Sequence, residues 1–473
     1  MCMSRERITE TIAWQSADPH LTGNFAPIGS EIDAEGLEVI SGRIPEDLLG
    51  TYIRNGPNPR YEPVSYNYPL EGDGMLHAIR FEGGKASYRN RYVRTRGFEI
   101  EHQAGHAVFG GVMTPRPVDP ALLGPEDDPD NPFKASAFIG VMQHGGQLLA
   151  LGECEPAWEI GPDLETRGPW TAGTNAPILM GAHNRVHPVT GDLYALSYDF
   201  ASPTVTLHHV GRDGKLRRSF DITLAAPSMI HDFVLTERHL VLLIGPLVFD
   251  MEAMMSGGSM LQWKPEMGTR IAVQPLDGSA VTWYEAEPFF VFHFANGFER
   301  GSDIVIDYVR HQKLYLGYGE PNTQPPTLQR LVLDTGTGRV REQAWFDKVA
   351  EFPRIDDRRN ALAARYVYSP TLTDTLTGGN GASATFNCLL RIDTETGDVS
   401  AHDFGNRIAG EAVFIPRGEA ETAGWLATYL YDPETQTSEF VLLDADGVGD
   451  EPVVRLRLPQ RVPQGLHGTW VPG

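Results

Sequence analysis

The sequence is poor in cysteine and in positive charge, and each shortage narrows the classes of protein that it can encode. Its 473 residues include three cysteines, Cys2, Cys154 and Cys388, without a CxxC pair. This disfavours a disulfide framework and suits a reducing compartment. Lys and Arg number 39 against 62 Asp and Glu, for a formal net charge of −23. We therefore do not expect a protein that binds nucleic acid through its phosphates or anionic lipid through its charge.

Long hydrophobic runs are also missing from the sequence. No stretch approaches the roughly 18 apolar residues that indicate a transmembrane helix. The N-terminal segment alternates in charge and lacks the apolar region of a signal peptide. We therefore expect a cytoplasmic protein, in which any contact with a membrane is peripheral and apolar.

Helical periodicity is rare, and turn signals are frequent instead. The chain has 50 glycines and 35 prolines, and turns rich in Asp, Gly and Thr occur at residues such as 334–338 and 393–398. Asp opens such turns through its side chain, and Gly supplies positive φ. The predicted strands include residues 193–198, 205–210, 239–244, 303–309, 386–392 and 453–458. Antiparallel hairpins without βαβ alternation predict an all-β fold.

An all-β chain of this length can protect its strand edges by radial repetition, as a β-propeller. Seven blades would take about 68 residues each, and no linker or shift of composition divides the chain. We therefore expect a single domain over residues 1–473, with residues 1–23 as an N-terminal extension. Two stacked β-sandwich domains are the alternative architecture.

Four of the 15 histidines share a setting beside strand-like segments. They are His183 in MGAHN, His231 in MIHDF, His293 in FHFANGFE and His467 in GLHGTW. No local ligand motif joins them, but equivalent positions in successive blades of a propeller converge on its axis. Imidazole is a ligand for Fe, Zn, Cu and Ni, so the sequence pattern alone selects no metal. A structural role for each of the four remains the alternative. Most other histidines, His311 among them, lie in polar or turn-like contexts that indicate a surface or hydrogen-bonded residue.

The four histidine contexts, taken in order, resemble those of the carotenoid cleavage oxygenase family, which includes lignostilbene dioxygenases and a retinoid isomerase branch. Two N-terminal segments carry the same resemblance, RNGPNP from Arg54 and EGDGMLH from Glu71. The resemblance runs from about residue 24 to the C-terminus. It implies a seven-bladed β-propeller with loops that form a cap over an axial Fe(II) site. It also implies cleavage of a conjugated C=C bond by O2, which gives two carbonyl products.

The resemblance further implies the residues of the site. The iron ligands would be His183, His231, His293 and His467, and the carboxylates that hold the last three would be Glu153, Glu351 and Glu411 respectively. A metal-bound imidazole presents one neutral nitrogen, and a carboxylate on the other N–H sets its tautomer and orientation. The alternative for the glutamates is ordinary surface charge. His77 and Asp73, in the second N-terminal segment, are expected to be structural.

Two positions bear on the substrate. Family members that cleave stilbenes have a Lys where this chain has Gly152 and a Tyr where it has Gly111. The loss of both polar groups favours an apocarotenoid over a 4-hydroxystilbene, and cleavage of a stilbene or phenylpropanoid alkene is the alternative. Many members also have Asn-Thr-Asn where this chain has Phe138-Ile139-Gly140. In those members the Thr lies beside an open position of the iron, and the resemblance does not say how Ile139 shields that position in this chain. A different class of function, a propeller that binds a ligand without catalysis, also remains open.

Residues 246–263 form a methionine-rich apolar segment. It contains Met251, Met254, Met255 and Met260, and flexible thioether side chains suit an adaptable apolar surface. We expect either a peripheral membrane contact at the mouth of a tunnel for an apolar polyene, or a loop packed on the propeller.

Overall fold

The computed structural model describes residues 6–66, 71–256, 258–314, 322–373 and 385–473, apart from the side chain of Met255. Most of these residues lie in short strands and in the loops between them. In chain order, the strands of the first half are β1 (Asp33–Ala34), β2 (Val39–Gly42), β3 (Gly50–Arg54), β4 (Met75–Glu82), β5 (Lys85–Tyr92), β6 (Gly140–His144), β7 (Gln147–Leu151), β8 (Glu155–Pro156), β9 (Trp158–Ile160), β10 (Thr166–Pro169), β11 (Leu179–Met180), β12 (Arg185–Val186), β13 (Leu193–Tyr198), β14 (Thr204–Val210), β15 (Leu216–Thr223), β16 (Val234–Leu235) and β17 (His239–Ile244).

The second half has the same character. Its strands are β18 (Leu247–Phe249), β19 (Leu261–Trp263), β20 (Thr269–Pro275), β21 (Thr282–Ala286), β22 (Phe294–Arg300), β23 (Asp303–Arg310), β24 (Thr327–Asp334), β25 (Arg339–Ala344), β26 (Tyr366–Thr371), β27 (Cys388–Asp393), β28 (Val399–Asp403), β29 (Ile408–Ala409), β30 (Val413–Pro416), β31 (Gly424–Asp432), β32 (Thr437–Asp444), β33 (Val454–Arg457) and β34 (Gly468–Pro472). The helices of the described residues are α1 (Arg96–Ala104), α2 (Met251–Met255) and single 3-10 turns at Pro19–Leu21, Gly23–Phe25, Pro120–Leu122, Pro265–Met267 and Asp357–Arg359. The six strands predicted from the sequence are all present, with bounds that differ by at most two residues.

Seven antiparallel sheets form the blades of a β-propeller, as the sequence predicted. From the inner strand outwards, the blades are blade 1 (β34-β3-β4-β5-β1), blade 2 (β6-β7-β9-β10), blade 3 (β12 to β15), blade 4 (β16-β17-β20-β21), blade 5 (β22 to β25), blade 6 (β26 to β28) and blade 7 (β29 and β30, then β31-β32-β33-β2). The inner strands of different blades contact one another, for example β34 with β6 and β16 with β22. The axis of the propeller therefore runs beside these strands.

Strands from the two ends of the chain close the ring. The C-terminal strand β34 pairs with β3 in blade 1, where Tyr52 faces Trp470. In blade 7, the N-terminal strand β2 pairs with β33. Each end of the chain completes a blade that the other end begins. The ring therefore has no unpaired strand edges where the two ends meet, and unpaired edges would favour pairing with another chain.

The hydrophobic core is divided into layers between neighbouring blades. Between blades 7 and 1, for example, Tyr52 and Phe440 pack with ring centroids 5.6 Å apart, and both are fully buried. Middle strands have a blade on each side, so every residue of β13 is buried. The outer strand β15 instead alternates partly buried with exposed residues over most of its length, as expected for a strand with one face in water.

The N-terminal residues contact blade 1. Ile8 is buried in one cluster with Met75, Tyr92 and Phe98, and its backbone N–H donates to Glu31. The division of the chain into one domain over residues 1–473 and an extension over residues 1–23 stays a prediction.

The methionine-rich segment, residues 246–263, packs on the propeller. Leu247, Val248, Phe249 and Met260 are buried, and strands β18 and β19 pair as a hairpin. Gly257 and the side chain of Met255 lie outside the described residues. The exposed positions among the rest are Glu252, Ser256, Gly258 and Ser259. The expected packing is therefore present, whereas membrane contact stays a prediction. In the part of the chain that the structure describes, no helix is long and apolar enough to cross a membrane.

Candidate metal centre

Four histidines lie at the starts of inner strands in four different blades. His293 and His467 directly precede β22 and β34, while His183 precedes β12 by two residues and His231 precedes β16 by three. The inner strands of a propeller surround its axis, so these positions, far apart in sequence, meet at one end of it.

The four imidazole rings surround a common point. One ligand nitrogen from each ring lies within 4.8 Å of the others, a grouping that could hold a metal ion. Nε2 of His183 lies 3.1 Å from Nε2 of His231. The ring centroid of His183 lies 4.5 Å from that of His467 and 5.1 Å from that of His293. The structure thus brings together all four histidines singled out in the sequence.

Three carboxylates hold three of these rings from outside, in the pairs that the resemblance implied. Nδ1 of His231 donates to Glu153 at 2.7 Å, and Nδ1 of His467 donates to Glu411 at 2.9 Å. Nδ1 of His293 donates to Glu351. Glu153 follows β7 in blade 2, and Glu351 precedes β26 in blade 6. Glu411 lies between β29 and β30 in blade 7. Since the histidines come from blades 1, 3, 4 and 5, all seven blades contribute to the site.

The hydrogen bonds at Nδ1 decide what the Nε2 atoms can do. An imidazole that donates from Nδ1 and is neutral carries a lone pair on Nε2. Nε2 of His293 and Nε2 of His467 are buried without a hydrogen-bond partner in the described part of the chain. Nε2 of His183 lies 3.1 Å from Nε2 of His231, a close approach that a proton or a cation between the two nitrogens stabilises. The four imidazole nitrogens therefore fit a metal ion of the kind that imidazole binds, such as Fe, Zn, Cu or Ni.

The electrostatics favour neutral rings at His183 and His467 and ionised carboxylates at Glu351 and Glu411, which are the forms that suit a bound cation. Burial, with three neighbouring imidazoles, holds the pKa of His183 well below its usual value, and burial also lowers the pKa of His467. Against burial, the charge of Glu153 raises the pKa of His231. Burial opposes ionisation of Glu411, but Arg354 and His467 lower the pKa of its carboxyl to about 2. Burial likewise opposes ionisation of Glu351, whose pKa His293 holds well below its usual range.

His311 belongs to the surroundings of the site, which the sequence did not reveal. It is buried, and its Nε2 lies 2.5 Å from Oε1 of Glu351, so two imidazoles share one carboxylate. The sequence predicted only a surface or hydrogen-bonded histidine. The signal in the sequence was its position directly after β23, because the chain there pairs at Phe290 with the segment that leads to His293 and β22.

Asp232 is a second residue that the sequence did not single out. Its carboxylate accepts from Arg185 at 2.6 and 2.7 Å and from the backbone N–H of Phe294 at 3.0 Å. These contacts link the inner strands of blades 3, 4 and 5. Oδ2 of Asp232 lies 3.9 Å from Nδ1 of His183, too far for a direct hydrogen bond. Asp232 directly follows His231 in the chain, and that position was the signal in the sequence that could have identified it.

A cavity of about 690 Å³ opens above the histidines. His231, His293 and His467 line one end, and the wall includes Phe138, Met229, Phe249 and Phe292. Ile139 takes the place of the Thr that many family members have in their Asn-Thr-Asn segment. It is buried and lines the same cavity. A largely apolar cavity with a few polar groups is typical of a site for an apolar ligand.

Carboxylates occupy the space beside the two glycines that were linked to the substrate. A Cβ atom on Gly152 would overlap Oε1 of Glu155, and a Cβ atom on Gly111 would lie 2.9 Å from Oε1 of Glu71. Both glutamates line the cavity. The glycines contribute no side chain, as predicted, and the neighbouring Glu155 and Glu71 supply carboxylates at these places in the wall.

His77 and Asp73 lie outside the four-histidine group. His77 is buried in β4, where Nδ1 lies 2.7 Å from the hydroxyl of Tyr88. Asp73 accepts from the backbone N–H of Arg60 and forms an ion pair with Lys134 at 2.5 Å. Both sets of contacts are those of residues that hold loops and strands in place.

Comparisons with known proteins agree with this geometry. Residues 25–472 match the family model described as "Retinal pigment epithelial membrane protein". The chain is 31% identical to a carotenoid cleavage oxygenase of Mycobacterium tuberculosis, over 98% of this chain and 100% of that protein. Among solved structures, it is similar to lignostilbene dioxygenase from Pseudomonas brassicacearum, with a TM-score of 0.87, 30% identity and coverage of 97% and 99% of the two chains. A variant of the apocarotenoid oxygenase of Synechocystis matches with a TM-score of 0.85, 28% identity and coverage of 96% and 98%.

Proposed function

This chain is an enzyme of the carotenoid cleavage oxygenase family, and we propose that it is an Fe(II) dioxygenase that cleaves a conjugated C=C bond of an apocarotenoid or carotenoid. Both atoms of O2 end in the products, one in each of two new carbonyl groups, so no further oxidant or reductant is consumed. The observation that carries the proposal is the group of four histidines, three of which line a largely apolar cavity.

Each of the site residues has a defined task in this proposal. His183, His231, His293 and His467 bind the metal, while Glu153, Glu351 and Glu411 hold their rings in orientation and keep the proton on Nδ1. When bound, Fe(II) supplies the redox chemistry through which O2 reacts with a C=C bond. The apolar wall, including Ile139 and Phe292, excludes water and places the polyene beside the metal.

The choice of an apocarotenoid rests on the cavity and on one of the two structural neighbours. The apolar wall suits a long polyene, and the Synechocystis neighbour is named an apocarotenoid oxygenase. The second candidate is a stilbene or phenylpropanoid alkene, which the similarity to lignostilbene dioxygenase favours. A peripheral membrane contact through residues 246–263 is a further part of the proposal, since Phe249, Met260 and Leu261 of that segment line the cavity.

The experiment measures metal, oxygen and products on the same sample. Purified protein is loaded with Fe(II), and metal content, O2 consumption and products from apocarotenals and stilbenes are measured by mass spectrometry. We expect one iron per chain, one O2 per cleaved bond and an aldehyde pair from an apocarotenal. The alanine variants of the four site histidines are compared with His402→Ala as the matched control, because His402 lies in the outer strand β28. Ligand binding without iron and without turnover would instead identify a non-catalytic binding propeller.

A further inference from the structure

Glu155 occupies a particular place in the cavity wall. Its carboxylate fills the space beside Gly152, which directly precedes Glu153 and so lies next to the group that holds His231. Glu155 lines the same cavity as His231 and His293. The side chain of Glu155 therefore belongs to the wall of the cavity that three of the proposed metal ligands also line.

Two backbone groups hold the carboxylate in one orientation. Oε2 accepts from the N–H of Ser136 at 2.8 Å, and Oε1 accepts from the N–H of Ala137 at 2.5 Å. Each carboxylate oxygen can accept more than one hydrogen bond, so each keeps acceptor capacity. The side chain is thus rigid and remains able to accept from a ligand.

No Lys, Arg or His side chain forms an ion pair with Glu155 in the part of the chain that the structure describes. Burial raises the pKa of Glu155 to about 7, against the effect of the two backbone N–H groups. A carboxylate without a counter-ion in an apolar wall costs free energy. Groups of this kind are frequent at ligand-binding sites.

We propose that Glu155 is a specificity-determining residue, which accepts a hydrogen bond from a hydroxyl group of the substrate. The proposal rests on the proposed function and narrows its substrate class to molecules with a hydroxylated end group. The hydroxyl can belong to an alicyclic ring of an apocarotenoid or to a phenol, because both donate an O–H to a carboxylate. A ligand that ends in a carboxylate is repelled.

The first test compares matched ligands on the Fe(II)-loaded protein. Turnover is measured for an apocarotenal with a ring hydroxyl and for the same aldehyde without it. Binding is measured, by quenching of protein fluorescence, for 4-hydroxybibenzyl and bibenzyl, which have no C=C bond between the rings and are not cleaved. At about pH 8, where the carboxyl of Glu155 is mostly ionised, we expect the hydroxylated member to be favoured about tenfold in kcat/KM or in Kd, as for a hydrogen bond to a charged group. The two pairs also distinguish an alicyclic hydroxyl from a phenol.

The second test uses variants. Glu155→Gln keeps the shape of the side chain, whereas Glu155→Ala removes it, and we expect the preference to fall several-fold in the first and to vanish in the second. The readout is the ratio between the two members of each pair, because a variant that only loosens the loop at Ser136 weakens both members alike. Glu237→Gln, an exposed carboxylate before β17, is the matched control, and thermal unfolding and iron content verify that each variant is folded.

The possible results separate the two proposals. Equal binding and turnover of both members of each pair by the wild type overturns the role of Glu155. The role is also overturned if Glu155→Gln weakens both members by the same factor, because Glu155 then only holds the loop at Ser136. Preferential binding of 4-hydroxybibenzyl, lost in the variants, together with no cleavage of any polyene or stilbene, supports the role and contradicts the proposed function.

Discussion

Nε2 of His183 lies 3.1 Å from Nε2 of His231, although the two residues precede inner strands of different blades. The hydrogen bond from Nδ1 of His231 to Glu153 leaves a lone pair on the facing Nε2. A cation bound by both nitrogens stabilises this close approach, so the proposed metal and the fold support each other.

The first prediction concerns the metal. His231→Ala or His293→Ala should abolish activity and reduce the iron content well below one per chain, because each removes a ligand that a carboxylate orients. Metal analysis and O2 uptake measure both effects, with His402→Ala as the control. Removal of iron by a chelator should also lower the Tm, since a ligand that binds only the folded state stabilises it. Full activity of either alanine variant without bound metal would contradict the site.

The second prediction concerns Glu351. Glu351→Gln should keep the fold but weaken iron binding or turnover by roughly 10–100-fold, as typically follows the loss of a group that orients a ligand. Iron titration and steady-state kinetics measure the effect. Unchanged values in both would remove Glu351 from the support of His293.

His311→Ala provides the comparison, because it removes the other imidazole that contacts Glu351. We expect a smaller loss of iron affinity, since His293 keeps its own hydrogen bond. The free energy of unfolding should fall by about 1–3 kcal/mol, the usual cost of a buried polar atom left without its partner.

The third prediction is a pH dependence in blade 6. Hydrogen bonds from Arg365, against burial and with help from the backbone N–H groups of Glu395 and Thr396, lower the pKa of Asp393 from 3.8 to about 2. A lowered folded-state pKa adds stability that is complete above the unfolded-state pKa and is lost as the pH falls through the folded-state value. The stability difference between wild type and Asp393→Asn should therefore be constant above about pH 5 and shrink between about pH 4 and 2. Urea unfolding at several pH values measures it, and a difference that does not change with pH would contradict the role of Arg365.

The fourth prediction tests the space beside Gly152. Gly152→Ala places a Cβ atom onto Oε1 of Glu155, and we expect the free energy of unfolding to fall by about 1–3 kcal/mol. In the Glu155→Ala background the same substitution should cost much less, which a double-mutant cycle measures. Gly140→Ala is the control, since a Cβ there meets atoms at 3.4 Å or more. An additive double variant would show that the two positions do not share space.

The fifth prediction concerns the substrate. We expect an apocarotenal to be cleaved with higher kcat/KM than resveratrol or isoeugenol, and with a loose preference among chain lengths, because an apolar pocket discriminates weakly between apolar chains. Kinetic assays in detergent measure the ratio. Efficient cleavage of hydroxystilbenes, with every apocarotenoid left intact, would make the stilbene alternative correct and leave the metal site standing.

The sequence by itself determined the strands and the turns. Asp393 illustrates why, because its carboxylate accepts from the N–H groups of Glu395 and Thr396, two and three residues on. Such turns depend on neighbours in the chain, so composition reveals them. The resemblance then implied the seven blades, the four histidines and their three glutamates, and the structure places these residues together, while their roles at a metal remain proposals.

Only the tertiary structure decided which other residues join the site and what fills the cavity wall. His311 reaches Glu351 across 40 residues, and Asp232 reaches Phe294 across 62. Glu155 is close to Gly152 in the chain. Its orientation, however, depends on a hydrogen bond from the backbone N–H of Ser136, which lies in the loop before β6. These contacts depend on how blades and loops pack in space, and neither hydrophobic periodicity nor turn chemistry contains that information.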